Sequence, residues 1–443
     1  MKNNTIKALH RQIFAMGKSI TLINPAFGVY VSHPSPPLGI AYLKAILEKN
    51  GIRTEIIDET AGMEVDIKKI DSEWVGLTVF TPTAKNAYDL ADKLRAAGKK
   101  VMLGGPHVSI LPKEALKHAD KVVLGEGEKS VLEIFTSKKK ILQNELIKDI
   151  DSIPFPNWHG LPLEKYTSPT RKHPYLKIMT SRGCPYGCIY CFKGVFGRYY
   201  RMRSPKNVVD EVEYLQKEYG CKEIAFIDDN FSQNRQRTID ICREIIQRKL
   251  KFDWNCPNGV RVDTLDLSLL KLMKKAGCYQ LSFGIESGNQ EVLNKVGKGI
   301  KLEQVRDAVK WAKEAGIETI GFFMIGLPYD TEETMQQTID FAKSLPLDLV
   351  QFTITVPYPG TQLYHLIDDE GRFLVDDWAE FGSYSGKAYY EYGAIKRELV
   401  ERMYKKAYRE IYFRPGYALK RIIKNPKLLF SGAKAFANIF KKK

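Results

Sequence analysis

The sequence predicts an α/β protein: a doubly wound, mostly parallel sheet, then a partial (β/α) barrel of six units, then a helical segment. Three observations carry this. From Ser19 to about Thr136, five short apolar runs alternate with amphipathic stretches of helical period. From Tyr175 the alternation resumes at a longer repeat, with six apolar runs. Beyond about Asp376 it stops.

In the first part, Ser19–Ile23, Thr54–Ile57, Val75–Val79, Val101–Leu103 and Lys121–Leu124 read as strands. Pro37–Glu48, Ala84–Ala96, Lys113–Lys117 and Ser130–Phe135 read as helices. Such a flavodoxin-like (Rossmann-like) domain, over 1–136, binds ligands at the carboxyl ends of its strands. The loops there hold Thr78, Thr81, Gly104, Gly105, His107, Gly125 and Glu126. Small and hydroxyl residues let the backbone approach a large flat or phosphate-bearing ligand, although glycine turns also serve simply to reverse a chain.

Residues 137–174 carry frequent prolines that forbid long regular elements, and are expected to be a linker packed across the face of the next domain, with Trp158 anchoring it. The barrel, 175–375, draws strands from Leu176–Thr180, Glu223–Ile227, Phe252–Pro257, Gln280–Ile285, Thr319–Ile325 and Leu349–Ile354. Its helices are expected at Pro205–Glu218, Arg235–Gln247, Leu267–Lys275, Leu302–Ala315 and Glu332–Lys343. Ser204 and Pro205 read as N-cap and first helical residue. Arg201 and Arg203 either pair with a carboxylate ligand or lie on the surface.

The final segment, 376–443, has tyrosines at Tyr384, Tyr389, Tyr390 and Tyr392, expected to contact substrate, and a helix over Arg397–Phe413. From Arg414 to Lys443 there are nine Lys or Arg and no acid, with Leu429, Ala433, Phe436 and Phe440 at helical spacing. That pattern suits either a helix lying on an anionic membrane face or one docked on the protein itself. The net charge of +16 likewise suggests an anionic partner. The first residues lack a signal peptide, and no apolar run is long enough to span a bilayer, so a cytoplasmic protein, peripheral to the membrane if the tail attaches, is expected.

Just after the first barrel strand stands Ser181-Arg182-Gly183-Cys184-Pro185-Tyr186-Gly187-Cys188-Ile189-Tyr190-Cys191-Phe192. Three thiols at C-x3-C-x2-C on a glycine-bearing loop suit a soft metal centre. A closed zinc site needs four ligands, and only His173 is near. Fe–S clusters usually take four thiolates, so three leave one iron of a cubane open. The remaining Cys221, Cys242, Cys256 and Cys278 sit among apolar neighbours and read as small core residues.

C-x3-C-x-aromatic-C, with Tyr190 the aromatic, resembles the signature of the radical S-adenosylmethionine (SAM) superfamily. Pro36-Pro37-Leu38-Gly39-Ile40-Ala41-Tyr42-Leu43, with Gly104-Gly105-Pro106-His107 and Gly125-Glu126-Gly127-Glu128, resembles the cobalamin-binding domain preceding the radical SAM domain in one subfamily, which holds the anaerobic magnesium-protoporphyrin monomethyl ester cyclase and hopanoid-methylase-type enzymes. The resemblance implies a [4Fe–4S] cluster on Cys184, Cys188 and Cys191. It places Tyr190 in the SAM site, Asp228 and Asp229 near the methionine of SAM, Glu286 and Ser287 by its ribose or methionine groups, and Met324 and Gly326 by adenine. It also implies corrin contacts from Thr78, Thr81, Gly104, Gly105, Gly125 and Glu126. Two departures stand out. Asp-Asp-Asn replaces the family's Gly-Gly-Glu after the second strand, and Asn24-Pro25-Ala26-Phe27-Gly28 lacks the histidine that ligates cobalt from below in other cobalamin domains. His33 and His107 are the substitutes to weigh. A degenerate domain that no longer binds cobalamin stays open. Lys295, Lys298 and Lys301 resemble the family's lysine-bearing loop and receive no role.

The implied activity is reductive cleavage of SAM to a 5′-deoxyadenosyl radical that takes hydrogen from an unactivated carbon. Methyl transfer from methylcobalamin would follow, on a lipid, tetrapyrrole or natural product. Electrons would come from a flavodoxin or ferredoxin. A cyclase without methyl transfer and a non-catalytic Fe–S or cobalamin module are the alternatives. A tRNA methylthiotransferase would need cysteines in the first domain, and residues 1–183 hold none; nucleic acid is not the expected partner.

Overall fold

The computed structural model describes residues 17–27, 34–168, 171–382 and 385–414. Gly28, His33, Tyr384 and the basic stretch after Arg414 lie outside the described residues. The described residues divide into two compact units, one within 1–167 together with Lys193–Arg203, the other within 168–192 and 204–443.

The first unit has six parallel strands, β1 (Ser19–Asn24), β2 (Arg53–Asp58), β3 (Trp74–Thr78), β4 (Lys100–Gly104), β5 (Lys121–Leu124) and β6 (Ile141–Gln143), in the order β2-β1-β3-β4-β5-β6. Central β3 is buried along its apolar run, whereas edge strand β2 alternates exposed and buried residues. Gly76 lets β3 pack tightly, since a Cβ there would lie 2.6 Å from the Met102 side chain and 2.9 Å from Leu22. Helices α1 (Leu38–Lys49), α2 (Ala84–Ala96), α3 (Pro106–Ile110), α4 (Pro112–Ala115) and α5 (Gly127–Glu133) connect the strands. The single helix expected at Lys113–Lys117 is instead two short ones. Pro112 starts the second, because a residue preceding proline leaves the helical region.

The stretch expected as a linker supplies β6. Up to Thr167 it belongs to the first unit. Trp158 is fully buried, Asn157 Nδ2 donates to Glu48 at 2.6 Å, and Tyr166 Oη donates to Asp58 at 2.7 Å.

The second unit has six parallel strands in sequential order: β7 (Tyr175–Ile178), β8 (Glu223–Phe226), β9 (Asp253–Val260), β10 (Cys278–Glu286), β11 (Glu318–Ile325) and β12 (Leu349–Ile354). Helices α6 (Pro205–Tyr219), α7 (Arg235–Gln247), α8 (Leu267–Lys275), α9 (Gln290–Lys295), α10 (Leu302–Glu314), α11 (Glu332–Ser344) and α12 (Gln362–Glu370) follow the successive strands. The sheet ends at β7 and β12 without pairing them, as a partial barrel requires. Phe226, Phe231 and Trp254 form an aromatic core, with ring centroids 4.8 to 5.5 Å apart. Each such buried side chain stabilises the fold by about 1.5–3 kcal/mol.

Edge strand β12 is closed by α13 (Arg397–Tyr412). Tyr408 and Tyr412, one helical turn apart, donate to the carbonyls of Phe352 and Val350 at 3.0 and 2.5 Å. These are alternate residues of the strand, so both bonds cap its open side. Among the described residues no helix is long and apolar enough to cross a membrane.

Candidate functional site

The cysteine loop leaves the carboxyl end of β7, where barrel chemistry gathers. Cys184 and Cys188 are half-buried and Cys191 is exposed. Cys191 N–H donates to the Cys188 carbonyl at 3.2 Å, making a tight turn. The loop is braced from two sides: Ile189 N–H donates to Val296 O at 3.1 Å, and Ile189 O accepts from Leu363 N–H at 2.9 Å. Arg261 stacks on Tyr186, 3.4 Å from the ring centroid, and donates to Lys298 O and Gly299 O at 2.7 and 3.1 Å.

The Cys188 thiol is pushed down to about 6 by a hydrogen bond from Cys191, helped by the Lys298 ammonium and Tyr190 against burial and Glu286. Burial pushes Cys221 and Cys242 up to about 12 and holds Cys256 and Cys278 well above the thiol range. All four are buried. Among the described residues no three His, Cys, Asp or Glu side chains converge on one ion. A cubane asks for no such convergence, because each thiolate takes a different iron. Three thiols on one loop, one already favouring thiolate, fit a cluster with an open corner.

Around this loop the structure gathers part of the expected SAM set. Tyr190 and Ile189 pack with Met324 and Tyr329 on Val292, Val296 and Leu327. Burial raises the Tyr190 hydroxyl far above its ordinary range, with Glu286 and Cys188 adding to the effect. Glu286, last in β10, sits at φ +69°. A non-glycine residue there costs of order 1–3 kcal/mol, a strain that clusters at functional sites. Its Oε1 lies 2.8 Å from Lys298 Nζ. Gly326, at φ +78°, follows β11, and its carbonyl accepts from Tyr390 Oη at 2.6 Å.

Other expected residues are placed differently. Asp228 is buried, and its carboxylate accepts from Thr180 N–H at 2.5 Å, from the Thr180 hydroxyl and from Ser181 N–H at 3.2 Å. It thereby holds the root of the cysteine loop. Asp229 beside it is exposed. Ser287 is buried against Thr338, 3.1 Å away, and accepts from Asn289 N–H. Tyr389 and Tyr390 are buried with hydroxyls bonded to Gly382 and Gly326, so packing and not substrate contact explains them. Arg261 and Asp330 escaped the sequence reading. Burial pushes Asp330 up to about 6 while it accepts from Leu327 N–H at 2.9 Å.

In the first unit, Thr78, Gly104, Gly105 and Gly125 meet at one end of the sheet. Thr78 pairs with Gly104, and Ser109 Oγ links the two loops, donating to Gly105 O at 2.9 Å and accepting from Gly125 N–H at 3.0 Å. Gly105, at φ +109°, admits no side chain, since a Cβ would lie 2.8 Å from Val79 O. This glycine cradle, with Phe80 44% exposed beside it, fits a large flat ligand. Thr81 and Glu126 turn inward. Thr81 Oγ1 lies 3.2 Å from His107 Nδ1, and Glu126 pairs with Arg201 at 2.8 Å. Arg201 thus meets a carboxylate of the protein. His107 is fully buried, with its second nitrogen 3.2 Å from Glu114, so both nitrogens are committed within the domain.

A profile described as radical SAM superfamily matches residues 178–342, and one described as B12 binding domain matches residues 26–135. The chain is 35% identical to the uncharacterized methyltransferase PH0819 of Pyrococcus horikoshii, over 89% of this chain and 92% of that protein. It is 28% identical to the anaerobic magnesium-protoporphyrin IX monomethyl ester cyclase of Rubrivivax gelatinosus, over 79% and 70%. Its fold matches TsrM of Kitasatospora setae, a radical SAM methyltransferase solved with cobalamin and a [4Fe–4S] cluster, at a TM-score of 0.68 and 18% identity over 90% of each chain.

Proposed function

The chain belongs to the radical SAM superfamily, in the cobalamin-dependent branch that comprises methyltransferases and cyclases, and from that premise we propose that it methylates an unactivated carbon of a small organic substrate. It is an enzyme whose cofactors are a [4Fe–4S] cluster, SAM and cobalamin. When bound, these would supply radical hydrogen abstraction at the target carbon and a methyl group for it. The protein's own part is to hold, orient and exclude water.

One observation carries this reading: three thiols on a braced loop at the carboxyl end of β7, with Tyr190 and Met324 packed against it. Cys184, Cys188 and Cys191 would hold the cluster. Tyr190 and its apolar neighbours would keep the open corner dry. Glu286 would receive hydroxyl or ammonium groups of SAM, and the backbone at Met324–Gly326 would line adenine. Asp228 would act by fixing the loop's root, and Ser287 by fixing the turn after β10. Thr78, Gly104, Gly105 and Gly125 would receive the corrin, while both nitrogens of His107 stay bonded to Thr81 and Glu114.

The substrate class proposed is a lipid, tetrapyrrole or related natural product, with electrons from a flavodoxin or ferredoxin in the cytoplasm. The test is anaerobic reconstitution with iron, sulfide and methylcobalamin, followed by reduction with methyl-deuterated SAM and cell extract. Formation of 5′-deoxyadenosine together with a deuteromethylated product is the expected result. Deoxyadenosine with a product that gains no methyl would replace methyl transfer by cyclisation. No deoxyadenosine from a protein that carries the cluster would leave only a binding module.

A further inference from the structure

The loop after α9 is part of the wall of the cysteine loop. Val296 O accepts from Ile189 N–H, and a Cβ on Gly297 would lie 2.8 Å from Gly187 O, so the two backbones touch. The next residue, Lys298, is buried, and its ammonium stands 2.8 Å from Glu286. Gly284 makes room for this pair, because a Cβ there would come within 2.7 Å of Glu286 Oε1 and 2.9 Å of Lys298 Nζ. Arg261 fastens the same loop through the carbonyls of Lys298 and Gly299. A buried ion pair is held here by a glycine, a strained strand end and an arginine clamp. That is more construction than an isolated pair needs, since such pairs add little stability over apolar packing.

We propose that Lys298 is a positioning residue for the cluster's electron affinity, with Glu286 as its counterweight. The inference rests on the cluster assigned above to Cys184, Cys188 and Cys191. Reduction adds one negative charge to the cluster. A fixed ammonium beside the Cys188 loop favours the reduced state, and a fixed carboxylate disfavours it. Burial limits screening by solvent, so each charge keeps its effect. The potential of an iron–sulfur centre follows net charge and exposure around it. The pair therefore sets the balance at which an external donor can load an electron.

The test is EPR-monitored potentiometry on the full chain, reconstituted anaerobically and titrated without SAM, so that ligand binding does not enter. Lys298→Met should shift the midpoint downward, Glu286→Gln upward, and Lys298→Arg should stay at the wild-type value. Iron and sulfide per chain are measured beside each titration. Midpoints that do not move, or that move the same way in Lys298→Met and Glu286→Gln, overturn the proposal, since a merely structural disturbance ignores the sign of the charge removed. Should Lys298→Met fail to hold a cluster, the upward shift in Glu286→Gln and the unchanged midpoint of Lys298→Arg decide it alone. A wild-type chain that holds no cluster would defeat the functional reading itself, a distinguishable failure.

Discussion

Arg201 lies across Glu126: one guanidinium nitrogen stands 2.8 and 3.0 Å from the two carboxylate oxygens and also donates to Ile147 O at 2.7 Å. Both side chains are about as buried as a core leucine, at 2% and 3% exposure. Glu126 in turn accepts from Ile147 N–H, so the pair fastens residues 193–203 within the first unit. Those residues begin two positions after Cys191. Glu126→Gln keeps the shape but leaves a buried guanidinium uncompensated, a loss of about 3–5 kcal/mol. Hydrogen exchange followed by mass spectrometry should show faster exchange in 193–203 and around Ile147, with a lower unfolding midpoint. Unchanged exchange there would mean the pair contributes nothing to holding the segment.

The regular elements were legible because strand and helix periods are local properties, written in runs such as Val75–Leu77 and Val122–Val123. The cysteine loop was legible for a similar reason: its ligands are close in sequence. Glu126 could be seen as a loop residue, but its partner is 75 positions away, and only folding brings Arg201 to it. Lys298 was visible as one lysine among several. Nothing local separates it from Lys295, which is half-exposed and pairs with Glu291 one turn away. Tyr390 read as a substrate contact because aromatic crowding near a chain end gives no clue to which ring is buried.

Asp228 should behave as a loop anchor. The two Thr180 donors and Ser181 N–H all point at its carboxylate. Asn in its place presents an amide donor where an acceptor is required, at a cost of about 1–3 kcal/mol. Asp228→Asn should therefore retain less iron after anaerobic reconstitution and show weaker cluster absorption. A full complement of iron with weakened SAM binding would instead return Asp228 to direct contact with the methionine of SAM.

His107 gives the first unit a dependence on acid. Burial holds it below the ordinary imidazole range, and Glu114 opposes the shift without reversing it. The unfolded chain takes up this proton first, near pH 6.5. The native state's advantage is thus complete above about pH 6.5 and declines as pH falls toward the lower folded value. His107→Gln removes the titration, so urea midpoints of the variant should differ less between about pH 7.5 and about pH 5 than those of the wild type. Equal slopes in the two proteins would contradict this. The same variant should bind cobalamin with an unchanged visible spectrum, because neither ring nitrogen is available to cobalt.

Tyr390 links the C-terminal segment to the strand end expected to line adenine. Its hydroxyl, fully buried, donates to Gly326 O at 2.6 Å. Gly326 sits at φ +78°, where an added Cβ would lie 3.0 Å from Val400, so the turn requires glycine. Tyr390→Phe removes the donor and leaves a buried carbonyl unsatisfied, about 1–3 kcal/mol. If the Met324–Gly326 backbone holds the adenine of SAM, part of that loss appears in binding, and roughly 1.4 kcal/mol corresponds to a tenfold weaker Kd. Tyr389→Phe is the matched control, since its hydroxyl bonds Gly382 and Ser385, away from the strand end. Calorimetry of SAM binding to the reconstituted protein should separate the two. Equal effects would show that the tyrosines act only on global stability, whereas a loss confined to Tyr390→Phe would assign the adenine wall to Gly326.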